Sequence, residues 1–370
     1  MKKIMIQYEI NHMDPLGQGV SKIGEKITFI PKSLPGEKGE AEVYKESKGV
    51  RFAKALTRTQ TSDVRTFGVC PHFEACYGCH YLHTDYENEL LFKKNNLTRT
   101  LQNLAPLPRI FSHPSPKRLY TRNRLQLHYI KNVKALGLIN PIERKITPIP
   151  ECKLPLEEVG ATLASLYENS HWLSLLPSHS PNKGHLEIYL KPGEKKARLI
   201  WNERYSQGGF SQVNQSANQQ VLDYFRRFKD PQAQVLDLFG GSGNLSSAFQ
   251  SKHQYIIDIY HGKKPSNNQT KTYIEQNLFH ENALEKISEA VKKKNVDFLI
   301  VDPPRSGHQE LPSFIEYFSP DKICYLSCNP STMARDLKSS LENYKIEEIH
   351  LFDFFPGTFH VEALIYLIKK

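Results

Sequence analysis

The stretch DKICYLSCNPSTMARDL, residues 321–337, holds two of the chain's six cysteines. Read as a strand, 323–328 puts Cys324 and Cys328 on one face but about 13 Å apart, at roughly 3.3 Å per residue. That separation is beyond disulfide reach. Cys324 lies inside an apolar run and reads as a small core residue. Cys328 closes the run, and Asn329-Pro330 turns the chain directly after it, because proline cannot continue a sheet ladder. A cysteine at a strand end is placed as a nucleophile if that end borders a ligand crevice.

Three other stretches have the composition of such a crevice. In VLDLFGGSGNLS, residues 235–246, Gly240, Gly241 and Gly243 permit a sharp turn and close backbone approach to a ligand. The pattern is neither a full G-x-G-x-x-G fingerprint nor a P-loop, which needs a following Gly-Lys-Ser/Thr. The aspartate that closes the strand before the loop, Asp237, favours a cationic ligand such as S-adenosylmethionine. In FLIVDPPRSG, residues 298–307, Asp302 falls at a strand end that Pro303 and Pro304 terminate. Its carboxylate either faces the crevice or belongs to an ordinary turn. In DFFPGTFHVEALIYL, residues 353–367, Glu362 interrupts an apolar terminal strand, with His360 two residues earlier on the same face. Burial among Val361, Ala363 and Leu364 would raise its pKa toward that of a general base; a structural salt bridge is the alternative.

The other four cysteines form a separate constellation, Cys70-x5-Cys76-x2-Cys79 with Cys152. Four thiolates suit either zinc or a 4Fe–4S cluster. The spacing does not choose between them, and His72, His80 and His83 keep zinc open.

The elements that must position these residues divide into three parts. At 370 residues the chain is long enough for two or three domains of roughly 100–200 residues each. Residues 1–62 alternate as short strands between Gly and Pro turns, which suggests a small OB-like barrel. Its lysines, among them Lys22, Lys26, Lys45 and Lys54, would suit a nucleic-acid strand or merely solvate the strand faces. Residues 63–205 open with the Cys/His segment and continue as short strands such as RNRLQLHYI and HLEIYL. DYENELLFKKNNLTRTLQNL, with Leu90, Leu91, Leu97 and Leu101 at helical spacing, predicts an early helix. From 206 to 370 the pattern becomes strand–turn–helix, with LSSAFQS expected as the helix after the glycine loop. Such alternation implies a parallel, doubly wound sheet with its ligand at the carboxyl ends of the strands. The formal charge of +10 points to an anionic partner. No apolar run reaches the roughly 18 residues a spanning helix needs. MKKIMIQYEINHMD lacks the apolar core of a signal peptide. A cytoplasmic protein is expected, where cysteines bind metals or act in catalysis rather than pair.

Taken in order, DLFGGSGNLS, VDPPRSG, YLSCNPSTMARDL and FFPGTFHVEAL resemble the RNA (uracil-5-)-methyltransferase family. GGFSQVNQSAN is similar to its Phe-x-Gln-x-Asn segment, and FHENALE resembles its segment around the adenine. Upstream, residues 1–60 resemble a TRAM domain. CPHFEACYGCHYLH with ECKL resembles the iron–sulfur cysteines of the subgroup acting on 23S ribosomal RNA, with Tyr77 in place of the usual glycine. The resemblance implies a multidomain α/β protein: a Rossmann-like methyltransferase domain, an N-terminal OB-like TRAM β-barrel and a central α+β domain carrying an iron–sulfur site. It implies a thiolate of Cys328 adding to C6 of uracil, a methyl group from S-adenosylmethionine passing to C5, and Glu362 removing the C5 proton. Gln212, Phe239, Asn244, Asp258, Asn282 and Asp302 are the residues it implies for the cofactor crevice, Asp302 also facing the target site. Arg305, where amine-directed methyltransferases carry a stacking aromatic, is expected to help anchor substrate. Cys70, Cys76, Cys79 and Cys152 are implied as ligands of a 4Fe–4S cluster. Asp258 is the nearest match to the ribose-binding acid, although the segment after it, HGKKPSNNQTK, is shorter and more polar than the family's helix.

The expectation is therefore a monomeric, cytoplasmic enzyme making 5-methyluridine in 23S ribosomal RNA, with no membrane role. A transfer RNA substrate is the rival within the enzyme class. A non-catalytic RNA-binding protein on a methyltransferase scaffold is the rival outside it.

Overall fold

The computed structural model describes residues 4–24, 26–104, 106–203, 212–260, 264–291 and 296–370. Phe210, the aromatic of the Phe-x-Gln-x-Asn segment, lies outside them. The chain forms two compact units: Met1–Asn96, Lys117–Tyr205 and Phe355–Phe359 make the first, and Leu97–Pro116, Ser206–Phe354 and His360–Lys370 the second.

The first unit holds two sheets. One is built from β1 (Ile4–Glu9), β2 (His12–Met13), β3 (Gln18–Ile23), β4 (Lys26–Pro31), β5 (Lys38–Ser47) and β6 (Val50–Ala55), in the order β1-β5-β6-β4-β3-β2. All its pairings are antiparallel except β4 with β6. Period-two alternation turns Tyr8, Ile30, Ala41 and Ala53 inward around Ile10. The amide of Glu9 donates to Ser21 Oγ at 3.2 Å and that of Asn11 to the Val20 carbonyl at 2.8 Å. These contacts curl the sheet back from its first strand toward β3.

The other sheet of this unit is antiparallel, in the order β10-β9-β8-β11-β12. Its strands are β8 (Arg124–Ile130), β9 (Ala135–Ile139), β10 (Ile146–Thr147), β11 (Lys183–Tyr189) and β12 (Arg198–Trp201). Helices α2 (Glu157–Tyr167) and α3 (Trp172–Leu175) contribute Val159, Leu163, Leu166 and Trp172 to its core with Leu127, Tyr129, Leu186 and Ile188. The early helix forms as α1 (Tyr86–Leu101), with Asp85 Oδ1 accepting the Asn88 amide at 2.7 Å in its first turn.

The second unit is one eight-stranded sheet. Its strands are β7 (Ile110–His113), β13 (Lys229–Leu238), β14 (Gln250–Asp258), β15 (Lys271–Glu275), β16 (Phe298–Val301), β17 (Lys322–Ser327), β18 (Tyr344–Phe352) and β19 (Glu362–Lys369). The order is β15-β14-β13-β16-β17-β19-β18-β7. Strands β13 to β17 run parallel, as the buried apolar runs require. Strand β19 inserts antiparallel between β17 and β18. Helices α4 (Gln215–Phe225), α5 (Ala283–Ala290), α6 (Leu311–Phe318) and α7 (Pro330–Leu337) accompany the sheet. Leu311, Phe314, Ile315 and Phe318 of α6 are buried at positions i, i+3, i+4 and i+7, each burial worth about 1.5–3 kcal/mol.

One expected element is absent. LSSAFQS does not make a helix after the glycine loop; Ser246–Ala248 is a single 3-10 turn, and β14 begins at Gln250. The cause is local competition for hydrogen bonds. Ser247 Oγ donates back to the Asn244 carbonyl at 2.7 Å, and Gln254 Nε2 donates to the carbonyls of Ser246 and Phe249 at 2.7 and 3.1 Å. Phe249 then turns inward, with its ring 4.7 Å from that of Phe298.

The first unit is pinned by a buried charge cluster. Glu89 of α1 is 0% exposed and pairs with Lys93, itself 1% exposed, at 2.7 Å and with Arg118 at 2.8 Å. Its Oε1 also accepts the Gly357 amide at 2.6 Å, while the Gly357 carbonyl accepts the amides of His80 and Tyr81. Removing one partner of a buried pair leaves an uncompensated charge and costs roughly 3–5 kcal/mol. Glu89→Ala is expected to lower unfolding stability by about that amount in a denaturant titration. A loss under about 1 kcal/mol would show that the pair contributes no more than an exposed one.

Candidate active site

Five chemically active side chains stand on one edge of the large sheet because five strands begin or end there. Asp237 is the penultimate residue of β13, and Asp258 is the last of β14. Asp302 follows β16, and Cys328 follows β17. Glu362 opens β19, whose reversed direction brings its first residue to the edge where the parallel strands finish. Strand order reverses between β13 and β16, the usual place for a ligand crevice in such a sheet.

Register brings the cysteine and the glutamate together. Ser327 pairs with Ala363 in the antiparallel ladder, so one further step sets Cys328 level with Glu362. Directly after Cys328 the Asn329 side chain caps α7, accepting the Ser331 amide at 3.3 Å, and Pro330 supplies the first helical position. Asn329 Nδ2 also donates to the Arg305 carbonyl at 2.9 Å, and Thr332 Oγ1 donates to it at 3.3 Å. Arg335 Nη2 reaches the Ser306 carbonyl at 2.7 Å. The start of α7 therefore clamps the loop after Asp302, and holds Arg305 where its charge favours the ionised form of Cys328.

The electrostatics of this group are those of a resting site. Burial pushes the Cys328 thiol up to about 11, helped by the charges of Glu362 and Asp302 and opposed by Arg305. Burial also holds the Glu362 carboxyl well above the usual range; Asp302 adds to that shift and Arg305 opposes it. Asp302 is pushed up to about 7 by burial, then by Asp237 and Asp258. At neutral pH the free site stores protons, and a positive charge entering it would favour their release.

The crevice beside this group suits a cation. Burial pushes Asp237 up to about 7, nearby Ser246 dipoles pulling down and Asp258 pushing up. Among the described residues neither Asp237 carboxylate oxygen has a hydrogen bond of normal geometry. Asp258 accepts the Gly241 amide at 2.7 Å and the Ile259 amide at 2.6 Å, which sets it directly against the glycine loop. A Cβ on Gly240 would meet Asp237 Cγ at 2.7 Å, so only glycine lets the loop cross that carboxylate. Phe239 adopts a φ of 61°, a left-handed conformation uncommon for an aromatic residue. Its ring lies 5.2 Å from His308 and 5.5 Å from Phe279.

The remaining residues expected at the cofactor fall in the loop itself, before α4 and at the start of α5. Asn244 exchanges side-chain amide hydrogen bonds with Asn218 of α4, at 2.9 and 3.3 Å. Gln212 comes two residues before Asn214, whose side chain caps the same helix by accepting the Ala217 amide at 3.2 Å. Asn282 stands at the start of α5, and its Oδ1 is buried with no hydrogen-bond partner among the described residues. Reading the sequence missed the anchoring of the Gln212 segment. Asn214 Nδ2 donates to Ser115 Oγ at 3.1 Å and to the Phe354 carbonyl at 3.3 Å, contacts no local pattern reveals. It also missed the role of Arg305 at the thiol, although adjacency of Pro-Pro-Arg to a strand end was visible.

The four-cysteine group belongs to the first unit. Cys76 and Cys79 are buried, and Cys70 and Cys152 half-buried, all as free thiols. Burial raises the thiols of Cys76, Cys79 and Cys152, and each of these three also feels the charge of Cys70. The Gly78 amide donates to Cys76 Sγ at 3.3 Å. His72 Nε2 accepts the Glu151 amide at 3.1 Å, and His83 stacks on Phe73 at 5.2 Å. Among the described residues no three His, Cys, Asp or Glu side chains are grouped to hold a single metal ion.

Comparison with known proteins agrees with this architecture. Residues 195–370 match the family model described as tRNA (Uracil-5-)-methyltransferase. A 23S rRNA (uracil(1939)-C(5))-methyltransferase RlmD of Vibrio parahaemolyticus serotype O3:K6 (strain RIMD 2210633) is 24% identical over 419 residues, spanning 98% of this chain and 95% of that protein. The crystal structure of a Pyrococcus abyssi tRNA (uracil-54, C5)-methyltransferase in complex with S-adenosyl-L-homocysteine shares the fold, with a TM-score of 0.67 at 19% identity over 98% of this chain and 100% of that one. The C-terminal match takes in the glycine loop, Cys328 and Glu362, and the relative aligns from end to end, so the chain is similar to RNA (uracil-5-)-methyltransferases along its length.

Proposed function

We propose that this protein methylates C5 of a uridine in 23S ribosomal RNA through a covalent intermediate on Cys328. The observation that carries the mechanism is the register that sets Cys328 level with Glu362. C5 of uracil is too weak a nucleophile to take a methyl group unaided. Cys328 loses its proton to water as a thiolate forms beside Arg305, and its sulfur adds to C6. The C5–C6 π electrons move toward O4, making an enolate that is nucleophilic at C5. S-adenosylmethionine supplies the electrophilic methyl group on its sulfonium. Glu362, as the carboxylate that Arg305 favours, accepts the C5 proton; the electrons of that bond restore C5=C6 and expel the thiolate.

The cofactor's positive charge suits the crevice of Asp237, Asp258 and Asp302. Gln212, Phe239 and Asn244 border it, and Asn282 Oδ1 is free to accept from an adenine amine. The end-to-end relative, named as a 23S rRNA enzyme, supports ribosomal over transfer RNA. The net charge of +10 supports a polyanionic substrate. The curled N-terminal sheet, as a TRAM-type barrel, offers bases a stacking surface. Phe29 and Phe52 stack at 5.4 Å, Tyr44 lies 6.5 Å from Phe52, and Lys45 sits over Phe52 at 5.4 Å. No helix among the described residues is long and apolar enough to cross a membrane, and the site of action is the cytoplasm.

Cys70, Cys76, Cys79 and Cys152 hold a 4Fe–4S cluster in this reading. Four free thiols that sense one another's charge, with an amide already donating to one sulfur, fit it. Such a cluster also spaces its sulfurs more widely than a single ion does. The cluster takes no part in methyl transfer and serves the fold or RNA contact.

Two substitutions test the chemistry. Cys328→Ala is expected to abolish methylation of 23S ribosomal RNA while leaving RNA affinity within about threefold; turnover at the native rate would rule out the cysteine. Glu362→Gln is expected to slow turnover on the order of 10²–10⁴-fold and to accumulate a protein–RNA conjugate on a denaturing gel, because elimination stalls after methylation. A variant that turns over normally and forms no conjugate would require another base.

A further inference from the structure

We propose that Asp336 is a positioning residue for methyl transfer, fixing the loop that carries Arg305 against the strand end that carries Cys328. The inference rests on the covalent reading above. Asp336 lies near the end of α7 and is 1% exposed. A carboxylate so deeply buried is costly unless its oxygens are used, and here both are. Oδ2 accepts the Tyr325 hydroxyl of β17 at 2.7 Å and the His308 amide of the loop after β16 at 2.6 Å. Oδ1 accepts Arg335 Nε and Nη2 at 2.8 and 2.6 Å. The same Nη2 donates to the Ser306 carbonyl at 2.7 Å.

The donors fall close to the reacting groups. Tyr325 precedes Cys328 by three residues, and His308 follows Arg305 by three. One carboxylate therefore ties together the two segments from which the cysteine and the arginine project. The loop lies against it without slack. Gly307 has a φ of 71°, and a Cβ there would overlap Asp336 Oδ2 and meet Arg335 Nη2 at 2.7 Å. The Gly307 amide closes a turn on the Pro304 carbonyl at 2.8 Å, with Arg305 and Ser306 inside it. On its other side the Arg305 carbonyl is held by Asn329 and Thr332.

The loop is thus fixed from both sides, by the residue after Cys328 and by Asp336. What it carries matters at the site, since the Arg305 charge opposes burial at both Cys328 and Glu362. Misplacing a positioned group by about 1 Å can slow a reaction on the order of 10²-fold. Asp336 acts through Arg305 and is not itself a catalytic residue.

The test uses full-length protein with saturating S-adenosylmethionine and 23S ribosomal RNA transcribed with 5-fluorouridine, and follows the rate at which protein–RNA conjugate forms. Asp336→Asn replaces one acceptor oxygen by a donor, and Gly307→Ala pushes the carboxylate away from the loop. Each is expected to slow conjugate formation on the order of 10²-fold while affinities for RNA and S-adenosylhomocysteine stay within about threefold. The double variant is expected to be no slower than the slower single one, because both remove the same contact. Tyr344→Phe is the control: it deletes a buried hydrogen bond to the Pro320 carbonyl, 2.6 Å long, just before β17. It is expected to lower the unfolding midpoint without slowing the conjugate. An equal slowing in Tyr344→Phe would reduce Asp336 to a structural role and overturn the inference. Conjugate formation at the native rate in either folded variant would overturn it and leave the covalent reading standing. Failure of both variants to fold would assign Asp336 to the fold and overturn it as well. A native protein that forms no conjugate would remove the covalent reading and this inference together.

Discussion

The antiparallel insertion of β19 beside β17 is the constraint on which the site depends. In a purely parallel sheet, residues at the carboxyl edge come from strand ends alone. Here one strand runs backwards, and its first residue, Glu362, reaches that edge beside Cys328. A cysteine and a glutamate far apart in the chain become neighbours by ladder register rather than by loop folding. Ladder hydrogen bonds fix that relation in both directions, and a slip of one residue would turn Glu362 to the other face of the sheet. The clamp of Asn329, Thr332 and Arg335 on the Arg305 loop then adds a cation to the pair.

Burial of these groups has a second consequence. Cys328, Glu362, Asp302 and Asp237 all favour their protonated forms relative to water, each because its neighbours are apolar or acidic. A thiol that is weakly ionised at rest is protected from adventitious chemistry. The same crevice is ready to gain anions when a positively charged cofactor enters it. In the proposed mechanism one ligand thus delivers both the methyl group and the electrostatic bias that its acceptor's activation needs.

Much of this site was legible in the sequence because its parts are local. The glycine loop, the Asp-Pro-Pro-Arg turn and the Ser-Cys-Asn-Pro turn each sit within a few residues of a strand end, and strand ends can be read from apolar runs. What could not be read depends on pairings between distant segments. The Asn214 bonds to Ser115 and Phe354, and the pairing of β7 with β18, join segments far apart in the chain. The helix expected after the glycine loop fails for a nearer reason. Ser247 and Gln254 capture the carbonyls that a longer helix would have used.

The central claim, a covalent bond between Cys328 and C6 of the target uridine, is tested most directly with substrate RNA carrying 5-fluorouridine at the target. Fluorine at C5 leaves Glu362 no proton to remove, so methyl transfer should proceed and release should not. The account predicts a conjugate stable on a denaturing gel, with the methylated fluorouridine attached to the peptide containing Cys328 by mass spectrometry. Steady methylation of ordinary RNA with no conjugate on the fluorinated one, or attachment at another residue, would contradict it.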